Sequence, residues 1–330
     1  MTNYDLDDQS QTQRPDIETT LNDLRDGEEN NHVAATVFYG LSGLQTEELT
    51  ALSALWDSLS PDYRRHVVSE LAEAAETNFD LDYDVLGQFA LNDDDEDVRE
   101  AAIELLWENN SLNVMERLIH MAHNDAATHV RAAAVSALGS FILWRELEEL
   151  PIEETISALD TALELLNDPE VDVRRRALEA VANSSHEIVA SAIEAAYKSD
   201  EHKMRVSAVF AMGRTADETW HDEVLAALQS DDSELRYEAA RAAGELMLED
   251  AIKYLRKVVL DDDREIKEVA IWSLGEIGGA EATKVLQRLL KDAENSDDEA
   301  LIDAIEDALG SSTLGSASFY MLQHYDDDQK

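Results

Sequence analysis

Cysteine is absent from the 330 residues, so disulfides, thiolate zinc sites and cysteine nucleophiles are excluded together. Proline and glycine are scarce, at 4 and 12 residues, and aromatics make up only 6%. Sheet proteins need turn-formers and bulky strand-formers in larger supply. No apolar run reaches the ~20 residues that a membrane span requires. The start, Met1-Thr2-Asn3-Tyr4-Asp5-Leu6-Asp7-Asp8, has neither the basic stretch nor the apolar run of a secretion signal. The expectation is a cytoplasmic chain without membrane contact. Basic charge is also short, with 26 Lys and Arg against 73 Asp and Glu and a formal net charge of −47. Such a surface repels phosphate backbones, which argues against direct nucleic-acid binding, and it would steer a basic partner inward. The cations include few lysines, a pattern that salt adaptation also selects, so acidity alone does not separate adaptation from recognition.

What the chain does have is alanine, leucine and glutamate in helical rhythm. Arg174, Arg205, Arg236 and Lys267 are spaced 31 residues apart, each followed three positions on by alanine: Ala177, Ala208, Ala239 and Ala270. A period of this length means stacked helix pairs in which each unit buries a face against its neighbours. Extending the register outward gives Arg65, Arg99 and Arg131 on one side and Ile302 on the other, about eight pairs in all. Small residues at +3, and glycine at +8 in Gly139, Gly213, Gly244, Gly275 and Gly310, allow close approach or a helix end. Asp231-Asp232, Asp261-Asp262-Asp263 and Ser60-Pro61 are placed to cap second helices. The step from Arg131 to Arg174 is 43 residues, and the extra segment around 141–151 reads as a lengthened second helix followed by a loop. Residues 1–31 read as a flexible acidic tail holding at most a short helix near Ile17 to Leu24. Residues 32–312 read as the repeat array and 313–330 as an acidic tail with a possible cap through Phe319, Tyr320 and Leu322.

The recurring Asp-x-x-x-Val-Arg-x-x-Ala-x-x-Ala-Leu-Gly resembles the short HEAT repeat, of the kind also found in phycobilin lyases. The resemblance spans residues 46–310 and is best at 95–107, 127–139, 168–181, 200–213, 231–244 and 262–275. It implies a right-handed α-solenoid. It also implies a ladder in which Asp and Arg of successive units are buried, a structural role for Arg99, Arg131, Arg174, Arg205 and Arg236.

Catalytic constellations are thin. His120 and His123 sit three apart with His129 nearby, a weak metal-face pattern without a second cluster. Asp93, Asp95 and Asp97 with Glu104 imitate a calcium loop, but Val98 stands where the sharp turn needs glycine. HEAT-type deoxyhypusine hydroxylases carry His-Glu pairs after the repeat motif on several helices. The pair His186-Glu187 opens a first helix instead. No catalytic residue, metal site or cofactor is read from the sequence.

On a second helix the core takes positions −1, +3 and +7 from the repeat arginine, so +1 and +5 point away, toward the concave surface of a solenoid. They are polar or small in the earlier units, at Glu100, Glu104, Ala132, Ser136, Arg175 and Glu179. They then turn to Val206 and Phe210, Tyr237 and Arg241, and Glu268 and Trp272. Aromatics and arginine dominate binding energy at protein interfaces. The reading is a non-enzymatic scaffold or adaptor that binds a protein or peptide, with basic character favoured by the acidic field, through Arg175, Arg176, Val206, Phe210, Tyr237, Arg241 and Trp272. The alternatives are a phycobilin-lyase-like protein that handles a tetrapyrrole, and an acidic mimic that inhibits a basic nucleic-acid-binding protein.

Overall fold

The computed structural model describes residues 14–295 and 298–312, and every regular element among them is helical. The chain divides into two compact units, one up to Ala137 and the other from Leu138.

The first unit holds α1 (Ile17–Glu28), α2 (Ala35–Leu41), α3 (Thr46–Trp56), α4 (Pro61–Thr77), α5 (Asp84–Ala90), α6 (Glu96–Leu105) and α7 (Leu112–Asn124). It ends within α8 (Thr128–Glu146). The tail expected over 1–31 does not describe α1. Thr20 and Leu24 are fully buried, and Arg14 donates to Glu48 and to the Gly40 carbonyl. Composition misjudged this segment because a single apolar stripe on a polar helix suffices once α2 covers it.

The second unit continues from α8 into α9 (Ile152–Leu165), α10 (Val171–Val181), α11 (Ile188–Tyr197), α12 (His202–Arg214), α13 (His221–Ala227) and α14 (Ser233–Glu245). It goes on through α15 (Ile252–Val258), α16 (Arg264–Ile277) and α17 (Gly279–Glu294) to a last helix, α18, over 299–312. The irregular step has the form expected: α8 runs long and a loop carries the chain from Leu147 to Pro151. The 313–330 tail and its proposed cap residues Phe319, Tyr320 and Leu322 lie outside the described residues.

Second helices stack on one another, α4 on α6 in the first unit and α10, α12, α14 and α16 in the second. The small-residue columns explain how. A Cβ added to Gly213 would lie 2.9 Å from the Ala242 backbone, one on Gly244 2.9 Å from that of Ser273, and one on Gly275 2.9 Å from that of Ala308. These +8 glycines therefore serve interhelix contact, each meeting the +6 residue of the next unit. The acidic turns cap as expected, with Asp232 accepting from Leu235 N–H and Asp263 from Glu265 N–H. Ser60 holds the N-cap place before Pro61 without a side-chain hydrogen bond.

Each repeat arginine ties down its own turn. Arg99, Arg131, Arg174, Arg205 and Arg236 donate through Nη1 to the carbonyl six residues earlier, at Asp93, Asp125, Asp168, Ser199 and Ser230, over 2.8–3.1 Å. The cross-unit ladder is partial. Arg99 grips both oxygens of Asp125 at 2.8 Å, and Arg236 reaches Asp261 at 2.9 Å. Among the described residues Arg131, Arg174 and Arg205 have no such partner; for Arg174 and Arg205 the next turn offers Ser199 or Ser230. In the first ladder step the crossing residue is Arg64, not Arg65. Arg64 is buried and pairs with Asp93 at 3.0 Å and Asp94 at 2.7 Å, while Arg65 sits outside on Asp62 and Asp97.

Candidate functional site

The expected surface residues belong to the second unit, on α10, α12, α14 and α16, and fall into linked groups. On α10, Arg175 contacts Asp172 at 3.1 Å and Glu179 at 3.3 Å, and Arg176 contacts the other Glu179 oxygen at 2.7 Å. Ser207 of α12 donates its hydroxyl to Glu179, which joins the two helices. On α12 the Phe210 ring is flanked by two guanidinium groups, Arg241 with Cζ 4.9 Å from the ring centroid and Arg214 at 5.3 Å. Both cations lean on Glu245, Arg241 at 3.1 Å and Arg214 at 3.5 Å. The Glu245 carboxylate lies over Gly213, where the missing side chain makes room. Each ring-flanking cation is thus held over the aromatic face by a carboxylate that also balances its charge.

Val206 and Tyr237 meet in a depression of about 200 Å³ completed by Ser233, Glu234, Glu238, Asp263, Glu265 and Ile266. Glu238 is its unusual member. Burial pushes its carboxyl up to about 7, Arg241 opposes that, and Glu179 and Glu245 add to it. Its Oε2 is wholly buried and has no hydrogen-bond partner among the described residues, a state that costs free energy until a donor arrives. Trp272 stands beside this group. Its ring occupies the space above Gly244, yet 41% of the residue remains exposed.

The positions at +1 and +5 are therefore mostly half-buried, with Trp272 the open one. Residues at +2 and +9 crowd them: Ser207 and Glu238 at +2, Arg214 and Glu245 at +9. Sequence reasoning did not single out these four for the site. The signal was available, since +2, +5 and +9 form one helical stripe and each position recurs with the 31-residue period. In the first unit the same columns carry Glu100, Glu104, Ala132 and Ser136 and no aromatic ring. Partial desolvation lifts Glu104 above the usual carboxylate range, helped by Glu100 and Glu76, although its side chain stays exposed.

The histidines do not gather as one face. His120 and His123 are exposed on α7. His129 joins Asp97 and Glu100 instead, its Nε2 3.4 Å and 3.9 Å from their oxygens. Arg65 already holds the other Asp97 oxygen at 2.7 Å. The calcium-loop imitation dissolves into separate tasks. Asp93 accepts from Trp56 Nε1 and pairs with Arg64, while Asp95 caps α6. His186-Glu187 does precede a first helix, α11.

Among solved structures, the complex of CpcE and CpcF of phycocyanin lyase from Nostoc sp. aligns at 18% identity and a TM-score of 0.45, over 69% of this chain and 94% of that one. Human deoxyhypusine hydroxylase aligns at 15% identity and 0.35, over 90% and 98%. Importin beta aligns at 15% and 0.44, over 90% of this chain and 41% of its own. Likeness this loose carries no function across. A search of curated proteins finds no sequence match. No described helix is long and apolar enough to cross a membrane. The pattern that defines HEAT repeats matches residues 83–152, 189–271 and 221–306, more than half of a chain whose helices stack through the same small-residue and arginine columns, and the protein belongs to the HEAT-repeat family.

Proposed function

We propose that this protein is a non-enzymatic scaffold or adaptor, and that it binds a protein partner on the outward face of α10, α12, α14 and α16. The observation that carries this reading is the ring set Phe210, Tyr237 and Trp272, placed on three successive second helices where the earlier repeats have polar or small residues. Phe210 and Tyr237 are held half-buried by their neighbours and Trp272 is left open to solvent. Rings fixed in this way lose little freedom on binding, which makes them efficient anchors. Glu238 supports a partner that carries a donor group. A lysine, arginine or amide donor entering the depression beside Tyr237 would satisfy its buried oxygen, and the surrounding acidic field would speed the approach.

The tetrapyrrole reading is less well supported, because it needs Arg175, Arg176 or Arg241 for the propionates. All three are engaged by Glu179 or Glu245. The acidic-mimic reading predicts binding that collapses in moderate salt, whereas burial of rings persists. The test is an affinity capture from native lysate at moderate salt, with the full chain and a Phe210→Ala, Tyr237→Ala, Trp272→Ala variant shown by circular dichroism to be folded. A partner lost only by the variant supports the face. The same partner retained by both moves the binding site elsewhere.

A further inference from the structure

One groove of the second unit runs against the charge of the rest of the chain. α15 and α17 leave a cavity of about 370 Å³ between them, lined by Val259, Val285 and Leu289, with Leu260 on its border 70% exposed. Arg256, Lys284 and Arg288 stand around this apolar strip, together with Glu281 and Asp292. Lys284 lies 3.8 Å from Glu281. The side chains of Arg256 and Arg288 make no ion pair or hydrogen bond among the described residues, and neither do those of Lys257 and Lys291 on the same two helices. At a net charge of −47 a carboxylate is the commonest neighbour a guanidinium can meet. Two unpartnered arginines beside an exposed leucine therefore mark a surface suited to an acidic ligand with an apolar run.

We propose that the groove binds the chain's own C-terminal segment, through Phe319-Tyr320-Met321-Leu322 in the apolar strip and Asp326-Asp327-Asp328 against the arginines. The chemistry matches on both counts, rings and aliphatics for the strip and a run of carboxylates for the unpaired cations. The departure point matches as well. The last described residue is Ser312, whose hydroxyl oxygen lies 3.4 Å from that of Thr283 in the first turns of α17. The seven residue-to-residue steps from Ser312 to Phe319 extend to at most about 25 Å, while the groove runs about 17 Å along α17 from Glu281 to Asp292. The acidic segment at the other terminus leads from the first unit and has no comparable apolar run. Because the ligand is tethered, its effective concentration is on the order of millimolar, so modest contacts suffice to keep it seated.

The absence of cysteine makes the test clean. In the full-length chain, Leu260→Cys is combined with Leu322→Cys, and a control combines Glu276→Cys, an exposed site on α16 within reach of the tether, with Leu322→Cys. Disulfide formation is followed under mild oxidation, each rate normalised to the reaction of the same single thiol with a small neutral disulfide. Docking predicts a bond within the monomer that forms at least about tenfold faster in the Leu260→Cys pair than in the control. Adding Arg256→Glu and Arg288→Glu should remove the advantage, and Arg256, Leu260, Glu276 and Arg288 are exposed side chains whose replacement the fold tolerates. Equal rates in the two pairs would overturn the proposal. So would disulfide-linked dimers in place of monomers, which would assign the groove to a second copy, or an advantage that survives charge reversal.

Discussion

At Arg64, Arg99 and Arg236 the arginine crosses to an aspartate of the next turn, whereas at Arg174 and Arg205 it stays at home. Among these five arginines, the residue at one turn position separates the two behaviours; Arg131, followed by the 43-residue step, stands outside the comparison because it has no such pair although the next turn carries Asp168. The turn residue six places before each repeat arginine has one constant duty, accepting the N–H two residues on: Asp93 from Asp95, Asp125 from Ala127, Asp261 from Asp263, Ser199 from Glu201, and Ser230 from Asp232. Serine and aspartate perform it equally well, but aspartate has a charged oxygen left over for the neighbouring arginine. Where serine stands, adjacent helices are joined instead by partly exposed contacts: Lys203 with Asp172, His202 with Asp232, and Ser207 with Glu179. These lighter joints, from α10 to α14, underlie part of the face that carries Phe210, Tyr237 and Arg241. The difference teaches that this repeat can exchange a buried arginine–aspartate crossing for lighter contacts between adjacent helices without altering its turn.

The most damaging way to break the contrast is Arg64→Ala. The side chains of Arg64 and Asp93 are 6% and 2% exposed, and burial already lifts the Asp93 carboxyl above its usual range against the pull of the Asp95 N–H, Trp56 and Arg64. Removing the cation strands a buried carboxylate, and we expect a loss of about 3–5 kcal/mol in chemical denaturation. Arg65→Ala, one residue along but exposed, should cost no more than about 0.5 kcal/mol, and comparing the two tests the assignment of the ladder to Arg64.

Glu238 sharpens the comparison from the other region. Its carboxyl is pushed up to about 7 from the 4.5 of an ordinary glutamate, so the folded chain binds a proton that the unfolded chain releases between those values. Its contribution to stability is fully present below about 4.5 and is lost as pH rises through about 7. Glu238→Gln should therefore leave stability near pH 4 unchanged and raise it by on the order of 2 kcal/mol at pH 8. Urea denaturation at the two pH values measures it. A wild-type chain no less stable at pH 8 than the variant would remove Glu238 as a stored cost in the depression beside Tyr237.

Within the ladder itself, Arg236→Ala should destabilise by about 1–2 kcal/mol more than Arg205→Ala, since both lose the bond to their own turn but only the first abandons a carboxylate. Thermal melts of the two variants side by side decide it.

How much of this was legible in the sequence follows from the range of each interaction. The fold was, because Ala177, Ala208, Ala239 and Ala270 report a packing constraint repeated in every unit. That Phe210, Tyr237 and Trp272 depart from the polar or small residues of the earlier units was also legible, whereas the half-burial of Phe210 and Tyr237 was not. Their carboxylate partners were not, because Glu179, Glu238 and Glu245 read as three more acids in a chain full of them, and only the stacking of α10, α12 and α14 brings them to the rings. The Arg64 assignment was hidden for a similar reason. Arg64 and Arg65 are adjacent and chemically identical, and the choice between them depends on which one the turn at Asp93 faces. Residues 14–31 were misjudged because burial of Leu24 depends on α2, which local composition cannot register.

The smallest expected effect is the most diagnostic. Ser199→Asp should retain the acceptor for the Glu201 N–H and present a second oxygen toward Arg174, as Asp261 does toward Arg236. If the missing carboxylate is all that separates the two kinds of joint, stability should rise by up to about 1 kcal/mol at low salt, and the gain should vanish in Arg174→Ala. Since Ser199 is half-buried, part of the gain offsets desolvation, and raising the salt concentration should shrink it only modestly. A double-mutant cycle between positions 174 and 199 measures this directly. Zero coupling would mean that Arg174, already held by two carbonyls of its own turn at 2.8 Å and 2.9 Å, is aimed away from its neighbour, and that the light joints are set by helix placement and not by a single residue.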